Sequence, residues 1–176
     1  MKPMTLMAES ILARFGFDFV TETSNSEKEM SPNAILFLCT GNYYRSRYAE
    51  ELFNHLAKVK GLPWRAFSRG AAERGSPNNV GPMSIFALDG LRAKGIQPDG
   101  AARSPMPCSL ADFDAADIVI AVKESEHRPL VECRFPTAAS KVKYWHVGDV
   151  EFVHPSIALA MLDEHVRELI ENLPAR

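Results

Sequence analysis

A cysteine and an arginine stand six positions apart where a short apolar segment gives way to a helical pattern. The run I-L-F-L leads into Cys39, and five residues, T-G-N-Y-Y, separate it from Arg45. A loop of this length that closes onto a helix N-terminus turns backbone N–H groups inward, and the helix dipole adds positive potential. The spacing therefore predicts a cradle for inorganic phosphate or a similar oxyanion.

The residue types within the loop suit this chemistry. Gly41 and Asn42 tolerate the positive φ that a curled loop needs. Arg45 offers a planar fork of donors to two phosphate oxygens, and the positive setting favours a thiolate at Cys39. Ser46 follows as a donor to that thiolate or as a helix N-cap.

We therefore predict Cys39 as a nucleophile and Arg45 as its catalytic partner; the alternative for Cys39 is a buried structural cysteine. Tyr43 and Tyr44 either line the pocket or pack as structural tyrosines. The predicted phosphate-binding set is Thr40, Gly41, Asn42, Tyr43, Tyr44, Arg45 and Ser46.

From residue 34 onwards, short apolar runs alternate with helical patterns, which is typical of an α/β fold whose parallel sheet is covered on both faces. The predicted strands are Ala34 to Cys39, Ala66 to Arg69, Asp117 to Val122 and Lys141 to Val147. The predicted helices run from Ser46 to Lys60, from Pro82 to just before Gly95, and onwards from Pro155.

A polar run from Thr21 to Asn33 precedes the first strand and is typical of a linker. We therefore divide the chain into an N-terminal extension and linker, residues 1–33, and a catalytic domain, residues 34–176. Within the extension, Thr5 to Phe15 has an amphipathic pattern, which would pack, stay disordered or dock a partner or a membrane surface.

Bulk composition excludes several classes of function. The 176 residues carry a formal charge of −2, so there is no general basic field and we expect no nucleic-acid partner. No apolar stretch approaches the roughly 20 residues of a spanning helix, so no stable membrane insertion is expected. The three cysteines fit neither a disulfide scaffold nor paired metal-ligand spacing, which favours a cytoplasmic protein. We expect no metal or organic cofactor, because Arg45 and the backbone amides supply the electrostatic stabilisation that a metal would otherwise provide.

The loop and the residues after it resemble the signature C-x-G-N-x-C-R-S-P-x-A-E of low-molecular-weight protein tyrosine phosphatases. The resemblance continues through S-R-G at 68–70, L-R-A-K-G-I at 91–96 and D-F-D-A-A-D-I-V-I at 112–120. It implies a three-layer α/β/α fold with a four-stranded parallel sheet of order 2-1-3-4, and a phosphate loop where the strand order reverses. It also implies a cysteine-dependent phosphatase that hydrolyses phosphate monoesters, with protein phosphotyrosine as the expected substrate, through a cysteinyl-phosphate.

Such chemistry needs an acid that protonates the leaving oxygen and later a base that activates water. The resemblance places this group in the loop after the last strand, where Y-W-H-V-G-D-V makes Asp149 the catalytic candidate. Glu151 and His154 are the alternatives nearby. Further back, Glu124 and His127 are expected on a solvated helix face.

Several positions depart from the family pattern. Tyr44 replaces a second loop cysteine, so an oxidised Cys39 has no neighbouring thiol to protect it. Arg47 replaces a proline, and residues 100–103 lack a histidine that commonly holds the loop asparagine in relatives. We further expect Arg47, Arg69 and Arg74 to line the mouth and favour a second anionic group on the substrate.

Two other functions stay open. One is arsenate reductase of the same fold, which C-T-G-N suits, although Cys108 and Cys133 do not have the spacing of that family's relay thiols. The other is a pseudophosphatase that binds phosphorylated partners with weak or no hydrolysis.

Overall fold

Four parallel strands form the centre of the domain in the computed structural model, which describes residues 33–174. The strands are β1 Asn33–Cys39, β2 Trp64–Gly70, β3 Ile118–Ala121 and β4 Val142–Tyr144, and their order β2-β1-β3-β4 confirms the predicted sheet. The helices are α1 Arg45–Val59, α2 Ile85–Arg92, α3 Leu110–Asp114, α4 Glu124–Arg134 and α5 Pro155–Glu171. The predicted N-terminal extension, with its helix at Thr5 to Phe15, lies outside the described residues. Its last residue, Asn33, is described as the first residue of β1.

Alternation along β1 divides the core into two layers, because successive strand residues point to opposite faces. Ile35 and Phe37 lie in the cluster that contains buried residues of α1, α2 and α5. Leu36 and Leu38 lie in the second cluster, with buried residues of α3 and α4. The sheet is therefore covered on both faces, and the predicted three-layer α/β/α architecture is confirmed.

Element boundaries differ from the predictions mainly at the ends. The fourth strand was expected to run from Lys141 to Val147, but β4 is only Val142–Tyr144. A short 3-10 helix, Ala139–Lys141, occupies its predicted start. Beyond β4, backbone bonds from Trp145 and Val147 to β3 and the residue after it keep the chain beside the sheet.

The helices show a similar pattern. α1 begins at Arg45, one residue earlier than predicted, and α2 begins at Ile85 rather than Pro82. Gly95 ends the α2 region with a φ of 73°, a left-handed conformation that glycine adopts without strain. Among residues 33–174, no helix has the length and apolar character needed to cross a membrane.

Candidate active site

Cys39 is the last residue of β1 and lies at the floor of the loop that leads into α1. Its Sγ atom is 3.0 Å from Ser46 Oγ, so the two residues that flank the loop are in direct contact. Asn42 has a φ of 52°, and it is the one non-glycine residue with positive φ among those described. The loop therefore follows the curled path that its Gly-Asn pair predicted.

Two glycines allow the loop to lie against its neighbours. A Cβ atom at Gly41 would come within 2.9 Å of the Gly75 backbone. A Cβ atom at Gly70, the last residue of β2, would stand 3.0 Å from the carbonyl oxygen of Thr40. A backbone hydrogen bond just beyond β2 also holds the start of the loop in place: the N–H of Ala71 donates to the carbonyl of Cys39 at 2.7 Å.

Arg45 is almost completely buried, and its guanidinium binds two carboxylates. Glu126 accepts from both terminal nitrogens, at 2.7 and 2.8 Å, in a bidentate pair. Asp149 Oδ2 accepts from Nη2 at 2.6 Å, and the carbonyl of Val147 accepts from Nη1 at 3.0 Å. The buried Nε atom has no hydrogen-bond partner within the described residues, which leaves one donor of the fork unused.

These contacts fix the charge states of the pair. Burial opposes the positive charge of Arg45, but the bond to Glu126 and the nearby Cys39 and Asp149 outweigh it, so the pKa of Arg45 is raised. Burial likewise opposes the charge of Glu126, and the hydrogen bond and charge of Arg45 overcome it, so the pKa of Glu126 is lowered. Thr40 Oγ1 adds a further bond to Glu126 at 3.0 Å. Both groups are therefore ionised at neutral pH.

The structure brings Asp149 to the same cleft as Cys39 and Arg45. Its second oxygen, Oδ1, accepts from the Val150 N–H at 2.7 Å, which orients the carboxylate. Of the two alternatives for the acid, Glu151 also lines the cleft. His154 is instead the N-cap of α5, and its ring nitrogen accepts from the N–H of Ser156.

The cleft has a volume of about 480 Å³, and its walls combine aromatic and apolar side chains with polar and charged ones. Tyr43 lines it and is anchored by a 2.6 Å bond from its hydroxyl to the carbonyl of Val80. Tyr44 lines it as well, although most of this residue is packed, with its ring edge-on to Phe86 at 6.2 Å. Tyr44 therefore fits both alternatives given for the tyrosines, because it lines the pocket and also packs in the core.

Asn42 and Ser46 belong to the loop but do not line the cleft. The Asn42 side chain is fully buried, and its amide nitrogen donates to Ser68 Oγ at 2.8 Å and Ser46 Oγ at 3.3 Å. The Asn42 side chain therefore supports the conformation of the loop from the side that faces away from the cleft. Thr40 and Gly41 do line the cleft.

The expectation that Arg47, Arg69 and Arg74 line the mouth is wrong, because none of the three lines the cleft. Arg47 is fully buried, and both its terminal nitrogens donate to backbone carbonyls of residues 100–103. Arg69 forms a 2.9 Å ion pair with Asp112, and the exposed Arg74 does not line the cleft. The charged residues that do line it are Arg45, Glu126, Asp149 and Glu151, so the mouth is acidic rather than basic.

The expectation of a solvated face at Glu124 and His127 is wrong for His127. Glu124 is partly exposed and pairs with Arg128 on the same helix. His127 is fully buried, and its Nδ1 accepts from the Lys123 N–H at 3.0 Å. Burial, with a smaller effect from Arg45, lowers the pKa of His127 to about 4, so the ring is neutral.

Sequence reasoning missed Glu126, which forms the bidentate pair with Arg45. It stands in a charged run, E-S-E-H-R, in which no spacing distinguishes one glutamate from another. Only the position of α4 at the carboxyl end of β3 selects it. Among residues 33–174, no group of three or more His, Cys, Asp or Glu side chains is arranged to hold a metal ion.

The four-stranded parallel sheet of order 2-1-3-4, with helices on both faces and the cysteine-to-arginine loop at its switch point, agrees with the fold of the small low-molecular-weight phosphatases. A sequence model of the family described as low molecular weight phosphotyrosine protein phosphatase matches residues 34–173. The chain belongs to this family, whose members hydrolyse phosphoric monoesters.

Individual relatives agree with the family assignment. A protein-arginine-phosphatase of Bacillus subtilis is 33% identical over 108 residues, which cover 61% of this chain and 67% of that protein. A crystal structure of a low molecular weight protein tyrosine phosphatase from T. tengcongensis is 28% identical with a TM-score of 0.67, over 80% of this chain and 99% of that one. A YwlE mutant from Bacillus subtilis is 27% identical with a TM-score of 0.65, over 79% and 97%.

Proposed function

We propose that this protein is a cysteine-dependent phosphatase that acts on protein phosphotyrosine through a cysteinyl-phosphate intermediate. One observation carries the proposal: Cys39 and Arg45 line a single cleft with Asp149, which is 104 positions away from Arg45 in the sequence. A nucleophile, a fork of phosphate-binding donors and a carboxyl group are the three parts that such chemistry requires.

The proposed reaction has two steps. The Cys39 thiolate attacks phosphorus, the P–O bond of the ester breaks, and the leaving oxygen takes a proton from Asp149. Asp149 then removes a proton from water, which attacks phosphorus, breaks the P–S bond and releases phosphate with the thiolate restored. Ser46 Oγ, 3.0 Å from the sulfur, is placed to donate to the thiolate whenever it is free.

In this proposal Arg45 exchanges partners when substrate binds. Its unused Nε donor and Nη2 face one side of the guanidinium, and a phosphate that takes both would displace Asp149 from Nη2. The displaced carboxyl group is then free to approach the leaving oxygen. Glu126 can keep Nη1 throughout and so preserve the direction of the fork.

Aromatic walls support phosphotyrosine as the substrate. Tyr43, Tyr44 and Phe86 line the cleft, and Val80 and Ile85 extend its apolar surface. A phenyl ring entering this cleft exchanges water for aromatic and apolar contact, which is favourable. The proposed setting is cytoplasmic, since all three cysteines are free thiols.

Phosphoarginine is a second candidate, favoured by the acidic mouth. Asp149 and Glu151 lie where the guanidinium of such a substrate would enter, and the 33% identical relative is named as a protein-arginine-phosphatase. Paired peptides that differ only in phosphotyrosine or phosphoarginine distinguish the candidates. Glu151→Gln should lower turnover of the phosphoarginine peptide and leave that of the phosphotyrosine peptide unchanged.

Hydrolysis of a nitrophenyl phosphate by wild type, Cys39→Ser and Asp149→Ala tests the mechanism, with the exposed cysteine variant Cys133→Ser as the matched control. We expect no turnover for Cys39→Ser, strongly reduced turnover for Asp149→Ala and full turnover for the control. Phosphate binding without hydrolysis by the wild type would identify a pseudophosphatase. Thioredoxin-dependent reduction of arsenate would identify a reductase.

A further inference from the structure

The conformation of the phosphate loop depends on how the Asn42 side chain is held. Both ends of this buried amide are occupied: its nitrogen donates to Ser68 and Ser46, and its oxygen accepts from the Met106 N–H at 3.0 Å and from Arg103 Nη1 at 3.3 Å. Since Asn42 also has the left-handed backbone, a shift of its amide would move the loop N–H groups that surround the phosphate position.

Arg103 makes further contacts at this point. Its Nη2 donates to Glu50 Oε2 at 2.6 Å and to Ser68 Oγ at 3.3 Å, while Ser68 itself donates to Glu50. One guanidinium therefore contacts Asn42, the partner of Asn42, and a carboxylate of α1. Its side chain is only 27% exposed, which limits competition from water.

Arg47 holds the segment that carries Arg103. It donates to the carbonyl of Arg103 at 2.8 Å and to the carbonyl of Gly100. Glu51, one turn along α1, accepts from the N–H groups of Gly100 at 2.8 Å and Asp99 at 3.0 Å. Neighbouring side chains of α1 thus bind both the carbonyl and the amide sides of this segment.

Two departures from the family signature therefore meet in one place. Arg47 stands where the signature has proline, and Arg103 lies in the segment where the histidine is missing. We propose that Arg103 is a positioning residue that holds Asn42 and thereby the phosphate loop, and that Arg47 fixes the backbone from which Arg103 reaches it. This inference rests on the proposed phosphatase function.

The choice of arginine has a consequence for pH. A histidine can donate two hydrogen bonds, to Asn42 and to Glu50, only when it is protonated, with an ordinary pKa of about 6.5. Arginine is charged throughout the physiological range. The charge of Arg103 is therefore constant across that range.

The test compares Arg103→Met, Arg103→Lys and Arg103→His, with Arg92→Met as the matched control because Arg92 is exposed and pairs with Asp89 on its own helix. For Arg103→Met we expect kcat on a nitrophenyl phosphate to fall about 10- to 100-fold, since a displacement of about 1 Å at reacting groups can cost about 100-fold. The inhibition constant of inorganic phosphate should rise as well, although Arg103 does not line the cleft. The control should match wild type.

Arg103→Lys should recover part of the lost kcat, because an ammonium can still pair with Glu50. Arg103→His should recover activity below about pH 6.5 and lose it above, which adds a limb to the pH profile that wild type lacks. A role confined to stability would change the melting temperature without adding that limb.

The inference is wrong if wild type is active and Arg103→Met keeps wild-type kcat and phosphate inhibition. It is equally wrong if Arg103→Met unfolds and Arg103→His folds without a new pH limb. Failure of the proposed function has a different signature, since wild type itself would then not hydrolyse the substrate.

Discussion

Glu126 binds both terminal nitrogens of Arg45, at 2.7 and 2.8 Å, across 81 positions of sequence. The pair sets the direction of the guanidinium before any phosphate is present. Within the part of the chain that the structure describes, the buried Nε atom has no hydrogen-bond partner, which suits a side chain arranged to receive a further acceptor.

Glu126→Gln should therefore reduce catalysis without abolishing it. The amide keeps one acceptor but places an NH₂ group against the guanidinium, so we expect kcat to fall about tenfold, roughly 1.4 kcal/mol of lost transition-state stabilisation. Steady-state kinetics on an aryl phosphate measure the effect. The control is Glu124→Gln on the same helix, whose carboxylate pairs with the exposed Arg128. Equal kcat in the two variants would contradict an orienting role.

Removing the proposed acid should produce a loss that depends on the leaving group. With Asp149→Asn we expect a fall of about 100-fold or more for phenyl phosphate, because a poor leaving group needs its proton in the transition state. For a dinitrophenyl phosphate, whose leaving group departs as an anion, the fall should be much smaller. Glu151→Gln should show no such dependence; if it does and Asp149→Asn does not, the acid is Glu151.

The buried His127 should make stability depend on pH. Its pKa is about 4 in the fold against about 6.5 in the unfolded chain, so the unfolded state binds more protons between these values. The contribution of neutral His127 to the free energy of unfolding is fully present above about pH 6.5. It decreases as the pH falls towards 4, by about 3 kcal/mol at most.

Urea unfolding at several pH values measures this dependence. His127→Asn keeps an acceptor for the Lys123 N–H and cannot titrate, so its stability should change less between about pH 6.5 and 5. Glu126 also contributes to the pH dependence, because its pKa is lower in the fold than in the unfolded chain. Its stabilising contribution is lost only as the pH falls below the ordinary pKa of a glutamate, which lies below the pH range of this comparison. The exposed His55 provides the control, His55→Asn, which should retain the wild-type slope.

Oxidation of Cys39 should be irreversible. Tyr44 stands where the family signature has a second loop cysteine, and Cys108 is buried with its pKa raised to about 12 by burial, which makes it an inert thiol. With excess peroxide as the oxidant, a sulfenic acid at Cys39 is therefore oxidised further to sulfinic acid.

Peroxide treatment followed by dithiothreitol should leave the enzyme inactive, with sulfinic acid at Cys39 in the mass spectrum. Cys133→Ser removes the exposed thiol that could form an intermolecular disulfide, and it should behave like wild type. Full recovery of wild type by dithiothreitol would contradict the prediction, because thiols do not reduce sulfinic acid.

Much of the fold could be predicted because its signals are local. The apolar run before Cys39 and the helical pattern after Arg45 identify a strand and a helix from side-chain periodicity alone. The strand order came from the family resemblance rather than from periodicity. β4 was predicted too long, because an apolar pattern does not reveal where a 3-10 turn precedes pairing.

By itself, the sequence determined the loop: a strand-end cysteine, a Gly-Asn pair and an arginine at a helix start are constraints on consecutive backbone positions. Only the tertiary structure decided what surrounds that loop. Arg47 was expected at the mouth and is buried, and Glu126 had no distinguishing signal. Their partners lie tens of residues away, and pairing across such distances depends on how helices pack at the carboxyl edge of the sheet.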